Sequence, residues 1–260
     1  MSNITKQLCM DLIHSESEEQ VVEILQNEGY WDSNNWQPYG GSDSNLGQIS
    51  AQAKSADKAI IEKITNSIDQ ILILECLKRN IDPESDEAPK SITEALEMFF
   101  NIPNGDLTKL SDKEINILAN QIGIILTGSR NLPNISVYDY GTGQSPNTLK
   151  DTILSLNKTN KTSIPFTHGA FNQGGSAALK FASKKHHLQL VISKKHSAFR
   201  NDDQNFEDHW GFTIVRREYQ KGEKQYKYTY LAPGGEILHF NSDFLNIVPG
   251  NKYPENYKNK

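Results

Sequence analysis

The sequence predicts an α+β fold: a two-layer α/β sandwich in which helices lie on one face of a mostly antiparallel, mixed sheet. Two observations lead to this prediction. Helical patterns dominate the first half of the chain, and short strand-like runs follow near residues 188–193, 210–217, 226–232 and 236–240. Helices followed by a run of strands are typical of the α+β class, because α/β folds interleave the two.

The predicted domain organisation has three parts. Residues 1–47 are expected to form a helical extension and an irregular connector rich in aromatic residues, Gly and Asn. Residues 48–248 are expected to form the main domain. Residues 249–260, which are rich in Pro, Asn and Lys, are expected to form a flexible tail.

Three serines followed by Glu or Gln at the third position predict helix starts, because this spacing forms a capping box. The pairs are Ser17 with Gln20, Ser91 with Glu94, and Ser111 with Glu114. The helix after Ser17 is expected to end at Gly29, which suits a left-handed C-terminal position.

A longer amphipathic helix is predicted from Asp57 onward, with its apolar residues on one core-facing stripe. These residues are Ile61, Ile64, Ile68 and Leu72.

Three polar residues of this helix share one flank. At about 100° per residue, Glu62, Asn66 and Asp69 lie within about 60° of one another and about a quarter turn from the apolar stripe. A carboxylate can activate water, and an amide oxygen can ligate Mg²⁺. Taken singly, such residues more often form a solvated helix edge.

A strand that ends in a carboxylate and two glycines is the most informative segment. Residues 135–138 form a short apolar run, predicted to be a buried strand, and Asp139, Gly141 and Gly143 follow it. The glycines would let backbone approach a ligand closely. Alone the pattern is weak, because a strand running into a Gly-rich turn produces the same spacing.

A second glycine-rich segment, residues 168–181, is predicted to be a loop that opens a helix. The free N–H groups of such a junction suit phosphate oxygens, although an ordinary loop-to-helix joint has the same composition. Two known phosphate motifs do not fit: Gly175 replaces the P-loop lysine, and Pro146 occupies the third glycine position of the dinucleotide fingerprint.

In their order, these segments resemble the GHKL superfamily of ATPases, which includes gyrase B, the ninety-kilodalton heat-shock chaperone, histidine kinases and MutL. The resemblance extends over residues 45–240 and implies a Bergerat-type ATP-binding fold. The connector and the segment before the second glycine cluster resemble, more narrowly, bacterial chaperone-like ATP-binding proteins. The motifs are Glu62-x-x-x-Asn66-x-x-Asp69, Asp139-x-Gly141-x-Gly143 and Gly169-x-Phe171-Asn172-x-Gly174-Gly175.

The resemblance implies a slow, Mg²⁺-dependent ATPase with defined roles for individual residues. Glu62 would be the general base, Asn66 would help to coordinate Mg²⁺, and Asp69 would support the helix and loop. Asp139 would accept a hydrogen bond from the adenine amino group. The other implied nucleotide contacts are Gly141, Gly143, Gly169, Phe171, Asn172, Gly174 and Gly175, with Lys158 and Lys161 in a flexible lid over residues 144–167.

The chain departs from the family in two places. Asn172 stands where many members have glycine, although Asn tolerates left-handed geometry. Members usually end the domain with a strand that begins Gly-Thr, and neither Thr213 nor Thr229 matches it well. We therefore expect either a different closing strand or an amino-terminal fragment of a longer protein with a C-terminal output domain.

Composition narrows the expected partners. The net charge of −5 is spread along the chain and gives no basic face, so direct nucleic-acid binding is not expected. Cys9 and Cys76 lack metal or redox spacing, and there is no leader and no membrane-length apolar run, which favours the cytoplasm.

The resemblance also implies binding of ATP and ADP, an ATP-dependent homodimer that could exchange residues 1–30, an unidentified protein partner, and a role in bacterial antiviral defence. Two alternatives stay open. One is an adenine-nucleotide sensor or interaction module that does not hydrolyse ATP. The other is a phosphotransferase like the histidine kinases, although no phosphoacceptor helix is found.

Overall fold

The computed structural model describes residues 2–42, 45, 49, 55–156, 164–168, 176, 178–201, 205–219 and 226–247. The helices within these residues are α1 (Ser2–His14), α2 (Glu18–Asn27), α3 (Ala56–Lys78), α4 (Ile92–Phe100) and α5 (Asp112–Ala119). The strands are β1 (Trp36–Pro38), β2 (Ile122–Ser129), β3 (Leu132–Asp139), β4 (Gln189–Ser193), β5 (His209–Tyr219), β6 (Tyr226–Leu231) and β7 (Leu238–Asn241). The mixed helical and antiparallel composition confirms the predicted α+β class.

Helix starts follow the predicted serines, because each hydroxyl accepts a free backbone N–H of the first turn. Ser17 accepts the N–H of Gln20 at 3.3 Å, and Ser91 accepts that of Glu94 at 3.1 Å. Ser111 forms the complete capping box with Glu114. The predicted strand segments near residues 188–240 correspond to β4, β5, β6 and β7.

The main sheet has five antiparallel strands with β5 at its centre. Strand β4 pairs along one edge of β5. Strand β7 pairs with the first residues of β5, and β6 pairs with its last residues. Strand β1 pairs with β6. Since successive side chains of a strand point to opposite faces, β5 contributes to two apolar layers. The paired residues Val215 and Tyr230 lie in one layer, and Ile214 lies in the other.

The two faces of this sheet are covered differently. Helices α1 and α2 pack on one face through Leu8, Leu12 and Leu25, so the amino-terminal helices are part of the core of their own chain. The opposite face packs against Leu149 and Leu154. These two leucines lie in the segment that the sequence predicted as a lid.

Residues 145–156 are therefore not part of a lid, and that part of the prediction is wrong. Ser145 and Leu149 have no exposed surface, and Leu154 and Leu156 are also buried. Opening this segment would expose apolar side chains to water, which costs about 1.5–3 kcal/mol for each leucine.

Strands β2 and β3 form a separate two-stranded hairpin. The strand that precedes Asp139 is confirmed, but the prediction that it is buried is wrong. Ile135 is 43% exposed, and Leu126, its neighbour across the hairpin, is 60% exposed. In the described residues the hairpin pairs with neither edge of the main sheet, and the face that carries Leu126 and Ile135 lies in solvent.

Candidate functional site

Helix α3 carries the candidate site, and its orientation differs from the prediction. The expected apolar stripe is only partly buried: Ile61 is 60% exposed and Ile68 is 37% exposed, whereas Leu72 is buried. The buried residues lie mostly in the carboxyl-terminal half of the helix and are found on several of its sides; they are Ala59, Ser67, Asp69, Ile71, Leu72, Ile73, Leu74 and Cys76. Glu62 and Asn66 are only partly buried.

The rotation of α3 is set by packing at its carboxyl-terminal half. Ile73 and Cys76 share an apolar cluster with Phe99 of α4 and with Phe166. Of the three predicted polar residues, Asp69 is buried, whereas Glu62 and Asn66 keep part of their surface in solvent.

Asp69 connects α3 to the second glycine-rich segment. Its carboxylate has no exposed surface, and its Oδ1 accepts the backbone N–H of His168 at 3.0 Å. The imidazole Nδ1 of His168 lies 3.8 Å from the same oxygen, but this side chain is half exposed. Asp69 thus has the supporting role that was expected, because it fixes the point at which the glycine-rich segment begins.

The next residue, Gln70, connects α3 to the loop after β3. Thr142 donates a side-chain hydrogen bond to Oε1 of Gln70. A Cβ atom added to Gly141 would lie 2.5 Å from Cβ of Gln70, so this loop touches the helix surface directly. Adjacent residues of one helix therefore hold both of the other predicted segments.

Asp139 ends β3 at the surface of the hairpin. Its Oδ1 accepts the backbone N–H of Gly141 at 2.9 Å, which closes a tight Asx-type turn. The neighbouring Tyr140 donates its backbone N–H to the carbonyl of Gln121 at 3.0 Å. The turn holds the Asp139 side chain beside the helix contact made by Gly141.

The two glycines of this loop have packing reasons of their own. Gly143 adopts a left-handed φ of 60°, and a Cβ atom there would lie 1.9 Å from the carbonyl oxygen of Lys194. The close contacts of this loop with Gln70 and with Lys194 therefore require glycine at Gly141 and at Gly143, whether or not a ligand also touches them.

A buried ion pair holds the far side of the same loop. Lys195 Nζ lies 2.5 Å from Oε2 of Glu207, whose side chain is 3% exposed. Desolvation would raise the pKa of Glu207, but hydrogen bonds from Lys195, from the backbone N–H of Asn201 and from Ser145 outweigh it and lower the pKa below its ordinary value. The contact with Ser145 links this pair to the residues that follow Gly143.

The electrostatics of Glu62 differ from those of a surface carboxylate. Partial burial raises its pKa above the ordinary value, and the adjacent Lys63 ammonium only partly opposes this. Burial also lowers the pKa of Lys63 to about 8, against the charge of Glu62. Glu62 is thus a partly desolvated carboxylate with a raised pKa, and such shifts occur in structural ion pairs as well as in functional sites.

Seven of the sequence-predicted contacts lie outside the described residues. They are Lys158, Lys161, Gly169, Phe171, Asn172, Gly174 and Gly175. Of the threonines considered for the adenine pocket, Thr213 is fully buried and donates to the carbonyl of Leu231 at 2.7 Å, so its hydroxyl serves the sheet.

Gln70, Thr142 and His168 were not identified from the sequence. Thr142 lies between the two motif glycines and His168 directly before the second cluster, so proximity to the motifs was the only available signal. Nothing in the spacing of α3 distinguishes Gln70 from other polar residues of the helix.

In the described part of the chain, no group of three or more His, Cys, Asp or Glu residues could hold a metal ion. No helix in that part combines the length and the apolar character that crossing a membrane requires. Comparisons with protein-family models, with curated proteins and with solved structures found no match to this chain.

Proposed function

We propose that this protein is a Mg²⁺-dependent ATPase whose nucleotide lies along α3. The observation that carries the proposal is the pair of contacts made by adjacent helix residues. Asp69 binds the start of the glycine-rich segment, and Gln70 binds the loop after Asp139. Two segments far apart in sequence thus meet on one helix, and this convergence supports the proposal.

The order of groups along α3 agrees with the shape of a nucleotide. Glu62 precedes Gln70 by eight residues, which corresponds to about 12 Å along the helix axis. The Asp139 loop lies at the Gln70 end and would take the purine, while Glu62 lies at the opposite end and would face the terminal phosphate. An extended ATP molecule has a comparable reach.

Asp139 would determine the choice of base. A carboxylate accepts a hydrogen bond from the exocyclic amino group of adenine, whereas guanine presents an oxygen at that position and would be repelled. Since Asp139 Oδ1 is held by Gly141, its orientation is fixed before a ligand arrives. Such preorganisation lowers the entropic cost of binding.

Glu62 and Asn66 would act on the phosphates. Ionised Glu62 would accept a proton from the attacking water, and its desolvated position strengthens that basicity. Asn66 would supply one amide oxygen to Mg²⁺, which commonly takes its other ligands from phosphate oxygens and water.

Four further properties are proposed only from the family resemblance. They are cytoplasmic location, ATP-dependent dimerisation, an unidentified protein partner and antiviral defence. Exchange of residues 1–30 between protomers would have to replace the packing of Leu8, Leu12 and Leu25 within one chain. A dimer that keeps these helices in place is the simpler form of the proposal.

The test separates binding from hydrolysis. Phosphate release and calorimetric binding of Mg·ATP are measured for the wild type, for Glu62→Gln and for the control Glu97→Gln, which alters an exposed carboxylate of α4. The proposal expects Glu62→Gln to bind ATP but to lose at least 100-fold of the release rate, with Glu97→Gln unchanged. Binding without release in the wild type would instead support the nucleotide sensor, and absence of binding would reject both.

A further inference from the structure

Two histidines meet at the junction of β5 and β7. The Nδ1 atoms of His209 and His239 lie 2.9 Å apart, which is hydrogen-bond distance. Both side chains lie on one face of the sheet, because His239 pairs with Gly211, two residues after His209 in β5. Strand β7 is short, and among the described strands it pairs only with β5. The contact therefore joins β7 to the central strand of the sheet.

This contact holds a single proton between the two rings. A hydrogen bond between two imidazole nitrogens needs an N–H on one ring and a lone pair on the other. The donor ring can become an imidazolium and still donate. The acceptor ring can gain a proton only at the nitrogen that already accepts the bond. A second proton would therefore break the hydrogen bond and place two positive charges side by side.

One positive charge on the pair has a compensating acid. Oδ1 of Asp208 lies 3.7 Å from Nε2 of His209, the nitrogen that does not face His239. The other oxygen of Asp208 accepts a hydrogen bond from Asn241 of β7 at 2.8 Å. The carboxylate is therefore held at the same junction, where it can pair with one imidazolium.

The second proton is disfavoured at His239. Partial burial lowers the pKa of His239, and the charge of His209 lowers it further, against the opposing effect of Glu236. Because the folded protein lowers this pKa, the unfolded chain binds the proton more tightly. The stabilisation is complete above the ordinary pKa of 6.5 and is lost as the pH falls through the lower folded value.

The neighbouring elements bring two ammonium groups and one more carboxylate to this end of the sheet. Lys194 follows β4, and the charges of Asp208 and Asp243 act on it. Lys6 belongs to α1, which packs on β7. Both lysines bind Ser242, one at its carbonyl at 2.6 Å and the other at its hydroxyl at 3.0 Å. The contact between the two rings therefore depends on their own protons.

Phe206 covers the pair and is held by it. Its ring centre lies 4.0 Å from that of His239 and 5.2 Å from that of His209. Phe206 has a φ of 66°, a left-handed conformation that a bulky residue keeps only where its surroundings enforce it. Its carbonyl accepts the backbone N–H of His209 at 3.1 Å. The turn at residues 205–208 therefore depends on packing against the two rings.

From these contacts we infer that His209 and His239 form an acid-sensitive clasp, which holds β7 and the turn at residues 205–208 to β5 until both rings are protonated. Double protonation releases the strand and the turn. The turn carries Glu207, whose ion pair with Lys195 holds the loop after Gly143, so the release also reaches the candidate site. The inference does not depend on the proposed ATPase activity.

Hydrogen exchange of backbone amides tests the inference on the full chain, because it reports the opening of single elements. Exchange is followed by NMR from about pH 7.5 to about pH 5, the range in which histidine titrates, and is corrected for its intrinsic pH dependence. We expect the protection of the β7 amides to fall about tenfold at the lower pH, while the β6 amides, at the other end of β5, keep theirs. Equal protection of β7 at both pH values would overturn the inference, and so would equal losses in β7 and β6.

Glutamine variants separate the shared proton from a packing role of the rings. In His209→Gln the amide can donate to a neutral His239 or accept from a protonated one, so β7 should keep its protection at both pH values. His239→Gln should do the same from the other strand. His14→Gln alters an exposed histidine of α1 and should keep the wild-type loss. A loss in β7 that persists in both clasp variants would contradict the inference.

The imidazole signals of the wild type give a measurement that needs no variant. His239 should gain its proton below the ordinary pKa of 6.5 and together with the loss of β7 protection. Protonation of both rings while β7 stays protected would also contradict the inference.

Discussion

The backbone N–H of His168 donates a 3.0 Å hydrogen bond to Oδ1 of Asp69, a carboxylate with no exposed surface. The bond spans 99 residues and joins α3 to the start of the glycine-rich segment. Asp69→Ala would leave this N–H without its acceptor, so we expect a loss of about 1–3 kcal/mol in the free energy of unfolding, measured in urea. Asp69→Asn keeps an acceptor oxygen and should lose less.

The matched control for this bond is His168→Ala. The donor is the backbone N–H, which alanine retains, and the imidazole is half exposed. We expect a change within about 0.5 kcal/mol. A large loss in both variants would show that the imidazole, and not the backbone N–H, makes the connection, and no loss in Asp69→Ala would show that this bond does not stabilise the fold.

The rotation of α3 is tested by two isoleucines of the same helix. Ile73 is 8% exposed and should cost about 2–4 kcal/mol when replaced by alanine, because the change leaves a cavity. Ile61 is 60% exposed, so Ile61→Ala should change stability by no more than about 0.5 kcal/mol. The reverse order in urea denaturation would restore the isoleucine stripe as the buried face.

The contact between the Gly143 loop and Lys194 predicts a specific steric penalty. Gly143→Ala combines a left-handed backbone with an overlap onto the Lys194 carbonyl, and we expect a cost of about 2–5 kcal/mol. Gly234 has a φ of 64° but open space around it. Gly234→Ala should cost only the backbone contribution, about 1–2 kcal/mol. Equal thermal shifts for both variants would remove the steric argument.

The Lys195–Glu207 pair predicts a stability loss in acid. Because the folded protein lowers the pKa of Glu207, the unfolded chain binds the proton more tightly. This stabilisation is complete above the ordinary pKa of 4.5 and is lost as the pH falls through the lower folded value. Glu207→Gln should therefore flatten the pH dependence of unfolding in that window. An identical dependence in wild type and variant would argue against the pair.

The raised pKa of Glu62 predicts that the rate of phosphate release falls at low pH. Its pKa lies above the ordinary 4.5, and only the ionised carboxylate can accept a proton. The rate should rise with pH through this raised pKa and then level off. A rate that stays constant down to pH values below 4.5 would exclude Glu62 as the base.

Features set by neighbouring residues were predictable from the sequence. The capping serines Ser17, Ser91 and Ser111 mark helix starts because the bonds they make span three residues. The four strands after residue 188 were also predictable locally, because each is a short run enriched in β-branched, aromatic or aliphatic residues. These elements give the fold class without knowledge of their packing.

Features set by distant contacts were not predictable. The isoleucines of α3 and its polar residues lie about a quarter turn apart, and distant packing partners such as Phe99 and Phe166 decide how deeply each part of the helix is buried. The exposed hairpin carries an apolar run like that of a core strand. The contact of Gln70 with Thr142 spans 72 residues and leaves no periodic signal.

The most direct test of the central claim is the thermal stability of the protein with Mg·ATP and with Mg·GTP, in the wild type, in Asp139→Asn and in the control Asp86→Asn. A ligand that binds only the folded state adds about 2.7 kcal/mol at a hundredfold excess over its dissociation constant. We predict stabilisation of the wild type and of Asp86→Asn by ATP alone, and none of Asp139→Asn. Equal effects of ATP and GTP, or stabilisation that persists in Asp139→Asn, would contradict the account.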